Sequence, residues 1–216
     1  MTLAGESVRI MGRDSHLPSL SRRAYRMGMP APTDTRYWTP EDVWALPDDG
    51  NRYECIDGAL LVTPSPRLTH QLVLARLHLL VAPFVAAQRL GVAMFSPADI
   101  CLNVGNLVQP DLFVVPADAD GRTGREWTDV HALLLAVEVL SPSTARYDRT
   151  LKRRYYQRSM VGEYWVVDAN SHLVERWRPD DERPEVITES LVWQPTGASD
   201  ALVIDLMALF NDALGD

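Results

Sequence analysis

The chain has 216 residues, of which 46% are hydrophobic and 23% charged, and this suits one globular domain with a sizeable core. Apolar runs such as Ala132–Val137 are too short to span a bilayer, and residues 1–16 do not show the basic start and apolar stretch expected of a secretory signal. We therefore expect a cytoplasmic protein without a membrane partner. The net charge of −8 excludes a uniformly basic surface. Cys55 and Cys101 have no zinc-like spacing and are predicted to be buried thiols.

The beginning of the chain separates into a tail and the start of a domain. Residues 1–36 mix Gly, Ser, Arg and Pro without a period, which predicts a flexible N-terminal tail. The domain is predicted to cover residues 37–216. Thr39 is the expected N-cap of a short helix that ends near Pro47, because Pro40 suits a first helical turn.

A turn signal and a helical period predict the next elements. Asp57-Gly58 stands between two apolar runs, which predicts a hairpin of Arg52–Ile56 and Ala59–Val62. Leucine and valine then recur at helical spacing, so a long helix is expected over Pro66–Leu90.

The rest of the chain alternates strand-like and helix-like segments. Strands are predicted at Val92–Phe95, Asp99–Leu102, Val108–Val115, Leu133–Leu140, Glu163–Val167, Leu173–Trp177 and Glu185–Val192. Helices are predicted at Arg146–Met160 and Asp205–Leu214. This order favours one α/β or α+β domain, with a mixed central β-sheet flanked by helices.

Two carboxylates stand in or beside apolar strands. Glu138 lies in the most apolar segment, where a charge is costly unless a metal or a cation neutralises it. Asp111 opens a second apolar run. A strand end in water and an ordinary Pro-Asp turn are the plainer explanations. Together, at adjacent strand ends, Asp111 and Glu138 would form a hard oxygen site suited to Mg²⁺ or Mn²⁺.

Lys152 is the only lysine among 21 basic residues. Where arginine is otherwise always used, a compact ammonium group can be specifically needed, although chance survival is the alternative. Between Arg146 and Arg158, six basic residues face a single acid, Asp148. This segment is either a solvated helix face or a local phosphate-binding patch. The candidate nucleic-acid contacts are Arg146, Arg149, Arg153 and Arg154.

Six short motifs follow one another in the order of a known family. They are Tyr53-Glu54…Asp57-Gly58, Ser65-Pro66…His70-Gln71, Pro110-Asp111, Val137-Glu138…Ser141-Pro142-Ser143-Thr144, Asp148…Lys152…Tyr156 and Glu163-Tyr164-Trp165…Asp168. In this order they resemble the Uma-two family of bacterial restriction-endonuclease-like proteins, a branch of the PD-(D/E)XK nuclease superfamily. The resemblance covers about residues 38–210.

The resemblance implies a restriction-endonuclease-like core and a set of site residues. Asp111 and Glu138 would bind the metal, with the carbonyl of Val139 as a third ligand. The superfamily's lysine normally stands two residues after the acid, where this chain has Leu140. The family pattern instead takes a lysine from the following helix, and Lys152 matches it.

Three further residues are auxiliary candidates. Glu54 matches a family acid and could bind the metal directly or through water, or could be a surface strand residue. His70, near the start of the long helix, could touch a phosphate or the metal shell, or could cap the helix. Tyr156 is four residues after Lys152, on the same helical face, and could orient the lysine or only pack.

The residues and the resemblance together predict a metal-dependent endonuclease that hydrolyses phosphodiester bonds of nucleic acid, with DNA as the expected partner. Asp111, Glu138 and Lys152 would form its catalytic centre, with Mg²⁺ or Mn²⁺ as cofactor. The alternative is a nuclease-fold module that binds nucleic acid or protein without catalysis, which the acidic net charge and Leu140 favour.

A homodimer is also expected, since cutting two strands calls for two centres. The sequence supports this through apolar residues near its C-terminus, namely Trp193, Leu206, Met207 and Phe210.

Overall fold

The computed structural model describes residues 36–118, 121 and 123–215. Apart from its last residue, the predicted tail over residues 1–36 lies outside the described residues. Within the described part, the chain forms a six-stranded sheet, two separate hairpins and several helices.

The elements are as follows. The helices are α1 (Pro40–Trp44), α2 (Leu68–Ala87), α3 (Ala145–Tyr147), α4 (Arg153–Arg158) and α5 (Leu206–Leu214). The strands are β1 (Arg52–Ile56), β2 (Ala59–Thr63), β3 (Gly91–Phe95), β4 (Leu112–Pro116), β5 (Leu135–Val139), β6 (Glu163–Asp168), β7 (Leu173–Trp177), β8 (Glu185–Ile187), β9 (Ser190–Trp193) and β10 (Leu202–Asp205). A π-helical turn (Asp148–Lys152) joins α3 to α4, and a 3₁₀ turn covers Trp127–Asp129.

The main sheet is mixed, as the sequence predicts. Its strand order is β3-β4-β5-β6-β7-β8, and only β5 and β6 run parallel to each other. The pair β1-β2 and the pair β9-β10 form the two antiparallel hairpins. Because β4 and β5 are antiparallel, the start of β4 and the end of β5 lie at the same edge of the sheet. The candidate residues Asp111 and Glu138 occupy these two positions.

Alternate side chains of β5 pack into two core clusters, one on each face of the sheet. Leu135, Val137 and Val139 pack in one core cluster together with α2 and α5. Ala136 packs in a second cluster with α4 and the β1-β2 hairpin. Because successive side chains of a strand point to opposite faces, Glu138 shares the face of Ala136. The carboxylate is therefore directed toward α4 and the hairpin, in a layer closed to water.

Helix α2 is long and apolar enough to cross a bilayer, and it is the one helix in the described residues that meets those criteria. Length and composition are weak evidence, because the core helix of a globular protein meets the same criteria. Val73, Leu77, Val81 and Val85 of α2 are fully buried against the sheet and α5. One face of α2 thus packs in the core of the domain, while 33% of its apolar stretch is buried overall.

Two predicted strands are wrong in extent. Asp99–Leu102 forms a single bridge, between Ile100 and Val108, and no ladder. The Asp99 carboxylate instead accepts hydrogen bonds from the side chains of Trp44 and Gln109. The expected strand Val108–Val115 begins only at Leu112, since the preceding Pro110 has no N–H for a ladder.

The C-terminal part also differs from the prediction. The expected strand Glu185–Val192 is two strands, because the chain leaves the main sheet after Ile187 and pairs β9 with β10. Strand β10 was not predicted. Asp205 does begin the predicted terminal helix as its N-cap, with its carboxylate accepting from the N–H of Ala208.

The residues that suggested a dimer interface belong mainly to the core. Trp193, Leu206 and Phe210 are buried, and only Met207, 70% exposed, is available at the surface. An interface through all four side chains is therefore wrong, and the homodimer itself stays a prediction.

Gly91 tests how closely β3 fits against β4. Its φ is +145°, and a Cβ there would lie 1.9 Å from the carbonyl oxygen of Val115. We expect Gly91→Ala to lower the free energy of unfolding by about 2–4 kcal/mol, since it adds backbone strain to a steric clash. Gly50→Ala is the control, because φ is +83° but no atom lies within 4 Å. Equal losses in urea unfolding would contradict this account.

Candidate active site

Asp111 stands immediately before β4, and both of its carboxylate oxygens accept hydrogen bonds. Oδ1 accepts from a terminal nitrogen of Arg52 at 2.8 Å. Oδ2 accepts from Nε2 of His70 and from the backbone N–H of Val139, both at 2.9 Å. The sequence left His70 either near a phosphate or the metal shell or as a helix-capping residue, and in the structure it contacts the candidate ligand Asp111. These donors fix the carboxylate at the edge of the sheet.

Lys152 brings the second candidate carboxylate into a buried ion-pair network. Its Nζ lies 2.9 Å from Oε1 of Glu138 and 2.8 Å from Oε2 of Glu54. The hydroxyl of Tyr156 donates to the same Oε1 of Glu138 at 3.2 Å. Each of these four side chains is buried. The structure therefore joins Lys152 directly to Glu138, although Leu140 stands where the superfamily has its lysine.

The helical segment positions Lys152 through four-residue spacing. In the π-helical turn, the N–H of Arg153 reaches back five residues to the carbonyl of Asp148. Asp148, Lys152 and Tyr156 follow at intervals of four, so all three lie on one side of the segment. The hydroxyl of Tyr164 also donates to the carbonyl of Asp148 at 3.0 Å. Such π turns are rare and often lie at functional sites.

Glu54 is held from the other side by the β1-β2 hairpin. Its Oε1 accepts from the backbone N–H of Gln109 at 2.8 Å, and Cys55 pairs with Leu107 through both backbone groups. Asp57 and Gly58 form the predicted turn with positive φ angles of 52° and 78°. Glu54 is thus a buried residue of the site, and the interpretation of it as a surface strand residue is wrong.

The charged groups shift one another's pKa values. Burial alone would raise the pKa of Asp111, but the hydrogen bond and charge of His70, together with Arg52, hold that pKa well below its usual range. Burial opposes a charged Lys152, yet Glu138, Glu54 and Asp148 raise the pKa of its ammonium well above the usual range. Asp111 is therefore ionised and Lys152 protonated at neutral pH.

The buried acids outnumber the permanent cations around them. Glu54, Asp111, Glu138 and Asp148 are buried together, and their cations are Lys152 and Arg52. Burial and the neighbouring carboxylates raise the pKa of Glu138 above its ordinary value, although Lys152 opposes this. Burial likewise raises the pKa of Asp148 to about 6. The site therefore favours the binding of further positive charge.

The backbone of Val139 offers a third oxygen beside the two carboxylates. The N–H of Leu140 donates to Val167 on the β6 side, so the N–H and C=O of Val139 face the β4 side, where Asp111 lies. Continuing the β4-β5 register places Pro110 opposite Val139, and proline has no N–H to donate. The Val139 carbonyl is therefore directed toward Asp111, and Pro110 opposite it supplies no backbone hydrogen bond.

These oxygens fit a hard divalent cation by their chemistry. No group of three or more His, Cys, Asp or Glu side chains forms a ready-made metal site in the described ranges of the chain. The candidate donor set would be two carboxylates and a carbonyl, and protein cations hold both carboxylates. A divalent cation would balance the excess of buried negative charge at this edge.

The four candidate arginines differ in how they are held. Arg149 donates to Glu175 at 2.6 Å and to Asp168 at 3.2 Å. The Arg153 guanidinium lies 4.6 Å from the ring centre of Trp177 and bonds Gln157. The other two are exposed on the same segment, and they are Arg146 and Arg154. The exposed pair is therefore better placed to meet a phosphate.

Two residues of the network were not assigned a role from the sequence. Arg52 stands two residues before Glu54, and strand alternation places both on one face of β1. Asp148 stands four residues before Lys152, with its Oδ1 3.8 Å from Nζ. The two-residue spacing of Arg52 and Glu54 and the four-residue spacing of Asp148 and Lys152 were the sequence signals that could have identified these two residues.

The fold and site together define a restriction-endonuclease-like domain, and comparison with known proteins agrees. The fold is similar to that of a protein from Anabaena variabilis ATCC 29413, described as a "putative nuclease belonging to DUF820". The two are 23% identical, with 82% of this chain and 99% of that chain covered and a TM-score of 0.67. The chain belongs to the Uma2 family, described as "Putative restriction endonuclease", which matches residues 40–206. No curated protein matches the chain.

Asp148 makes stability depend on pH in a defined direction. Burial raises its pKa from the ordinary 3.8 to about 6; the carboxylates of Asp111 and Glu54 add to this rise, and Lys152 and a hydrogen bond from Thr144 oppose it. Ionisation in the folded protein is therefore unfavourable, and stability falls as pH rises from about 4 to about 6. Asp148→Asn removes that charge and should stabilise the protein by about 3 kcal/mol above pH 6, since one pKa unit is about 1.4 kcal/mol.

The measurement is urea unfolding of Asp148→Asn and wild type between pH 4 and pH 8. Asp212→Asn, at an exposed position of α5, is the matched control. The gain should shrink toward pH 4. A gain that is the same at both ends of the range would contradict the burial of an ionised Asp148.

Proposed function

We propose that the protein is a metal-dependent endonuclease that hydrolyses phosphodiester bonds of nucleic acid, with DNA as its substrate. The observation that carries this proposal is the contact between Lys152 and Glu138 at the sheet edge that also holds Asp111. An ammonium group beside two acids at adjacent strand ends is the pattern that the family resemblance implies. The family's description as restriction endonucleases and the nuclease description of the Anabaena protein support it.

Asp111, Glu138 and the Val139 carbonyl would hold one or two Mg²⁺ or Mn²⁺ ions. When bound, such an ion lowers the pKa of a coordinated water and neutralises charge that develops on the phosphate. His70 and the Val139 N–H keep Oδ2 of Asp111 in place. Tyr156 does the same for Oε1 of Glu138. Both carboxylates are thus oriented before substrate arrives.

Lys152 would act as a fixed positive charge. Because the surrounding carboxylates raise its pKa, the ammonium stays protonated and is a poor general base. A protonated amine beside the reacting phosphate stabilises the negative charge of the transition state. The phosphates that flank the scissile bond would meet Arg146 and Arg154, which are exposed on the segment that carries Lys152. Because the salt dependence of binding grows with the number of phosphates that are neutralised, binding through so few cations should weaken only gradually with salt.

A binding module without catalysis is the second candidate. The observation that favours it is that the carboxylates already have protein partners, in Arg52 for Asp111 and Lys152 for Glu138. Such a protein would bind nucleic acid and show no hydrolysis with any divalent cation. Cleavage by the wild type, lost on a change at the site, would exclude this candidate.

The metal site predicts that Asp111→Asn and Glu138→Gln each weaken Mn²⁺ binding by at least about tenfold, because each removes a charged ligand. Isothermal calorimetry with Mn²⁺ alone measures the affinity, and circular dichroism checks the fold. Glu182→Gln, which removes an exposed carboxylate, is the control and should bind as the wild type does. Unchanged affinity in both site variants would contradict the proposed ligands.

We expect that arginine cannot replace Lys152. Its side chain is only 3% exposed and lies between two carboxylates, so a larger planar guanidinium cannot take the same place. Lys152→Arg and Lys152→Met should both reduce Mn²⁺-dependent cleavage of plasmid DNA by at least about 100-fold. Both should still bind Mn²⁺, because the lysine is not a ligand.

Arg183→Gln, at an exposed position, is the control for loss of one positive charge. Thermal unfolding of each variant separates loss of the fold from loss of catalysis. If a folded Lys152→Arg variant still cleaved DNA, Lys152 would be needed only for its positive charge, as one of the basic residues between Arg146 and Arg158.

A further inference from the structure

Arg52 is a charged residue of the site without a role in the hydrolysis described above. It lies on β1, on the same strand face as Glu54, and donates to Oδ1 of Asp111 at 2.8 Å. Its Nε is buried and has no hydrogen-bond partner. The guanidinium has five donors, of which one hydrogen-bonds Asp111 and the buried Nε is left unsatisfied.

The two oxygens of Asp111 are held differently. Oδ2 accepts from His70 and from the backbone of Val139, and both of these donors belong to the packed sheet edge. Oδ1 accepts from Arg52 alone among the described residues. The oxygen that can turn to a metal ion is therefore the one that Arg52 occupies. A guanidinium and a divalent cation on one oxygen would repel each other strongly in a buried site.

We propose that Arg52 is a displaceable counter-ion, which neutralises Asp111 until a divalent cation binds there and then contacts a phosphate of the substrate. This inference rests on the proposed metal-dependent hydrolysis and adds to it a residue that moves between two partners. Arg52 would link the arrival of the metal to the positioning of nucleic acid.

Arg52 is held by fewer carboxylates than Lys152 and is more exposed, which is why Arg52 is the cation that a metal ion would displace. Lys152 lies within 2.9 Å of two carboxylates and is 3% exposed. Arg52 touches one carboxylate, and 21% of its side chain reaches solvent. Moving outward would also allow its orphaned Nε to bind water or a ligand, since an unsatisfied buried donor is costly.

The chemistry of the guanidinium points to phosphate as its second partner. Its planar fork binds phosphate oxygens through two parallel hydrogen bonds and stays charged when it leaves the acid. Because Arg52 starts from the candidate metal ligand Asp111, a short movement of its long side chain keeps it beside the scissile phosphate.

The test compares Mn²⁺ affinity and DNA cleavage in Arg52→Gln. Removing the competing cation should tighten Mn²⁺ binding by about tenfold in calorimetry with the metal alone. Removing the phosphate contact should lower cleavage of plasmid DNA by at least tenfold at saturating Mn²⁺. Arg183→Gln removes the same charge from an exposed turn and should change neither quantity. If Arg52→Gln does not fold, Arg52→Met keeps the aliphatic length and should show the same two changes.

The outcomes separate this inference from the proposed function. Mn²⁺ affinity that is unchanged or weaker in a folded Arg52 variant overturns the displacement. Tighter Mn²⁺ binding with full cleavage overturns the phosphate contact. Tighter Mn²⁺ binding in the variant, with no cleavage by any protein including the wild type, supports the displacement and counts against the endonuclease instead.

Discussion

The ammonium group of Lys152 joins parts of the chain that are distant in sequence. It contacts Glu54 on β1 and Glu138 on β5 from the helical segment that follows β5. The β1-β2 hairpin lies outside the six-stranded sheet, so these buried ion pairs help to fix its position. Leaving a buried acid without its partner costs about 3–5 kcal/mol. Lys152, the cation proposed for catalysis, is therefore also a structural cation, so any loss of activity in its variants has to be compared with the loss of stability.

Sheet topology explains why the candidate ligands Asp111 and Glu138 meet at one edge. Strands β4 and β5 are antiparallel, so the residue before β4 and the last residues of β5 are neighbours. Strand alternation then directs Glu138 away from α2 and toward the helical segment. A lysine two residues after Glu138 would lie on the same face. Leu140 takes that position and packs with the core, while Lys152 reaches Glu138 from the helix.

The sequence predicts the parts of the site that depend on local patterns. Glu138 in an apolar strand, the single lysine and the six ordered motifs lead to the residues that the fold brings together. Arg52 could not be found in this way, because its partner Asp111 is 59 residues away and the contact depends on how the hairpin docks. The break between β8 and β9 was missed for a similar reason. It depends on the pairing of β9 with β10 and not on the apolar pattern of Glu185–Val192.

The charge balance of the site ties its stability to its proposed chemistry. Four buried carboxylates face two permanent cations, and burial with mutual repulsion raises the pKa values of Glu138 and Asp148. Protons and a divalent cation would then compete for the same group of acids, so metal affinity should fall as the carboxylates protonate. A chain selected only for stability would replace such acids with apolar residues, because buried charge is costly. Their presence in the core accords with the divalent cation proposed for this site.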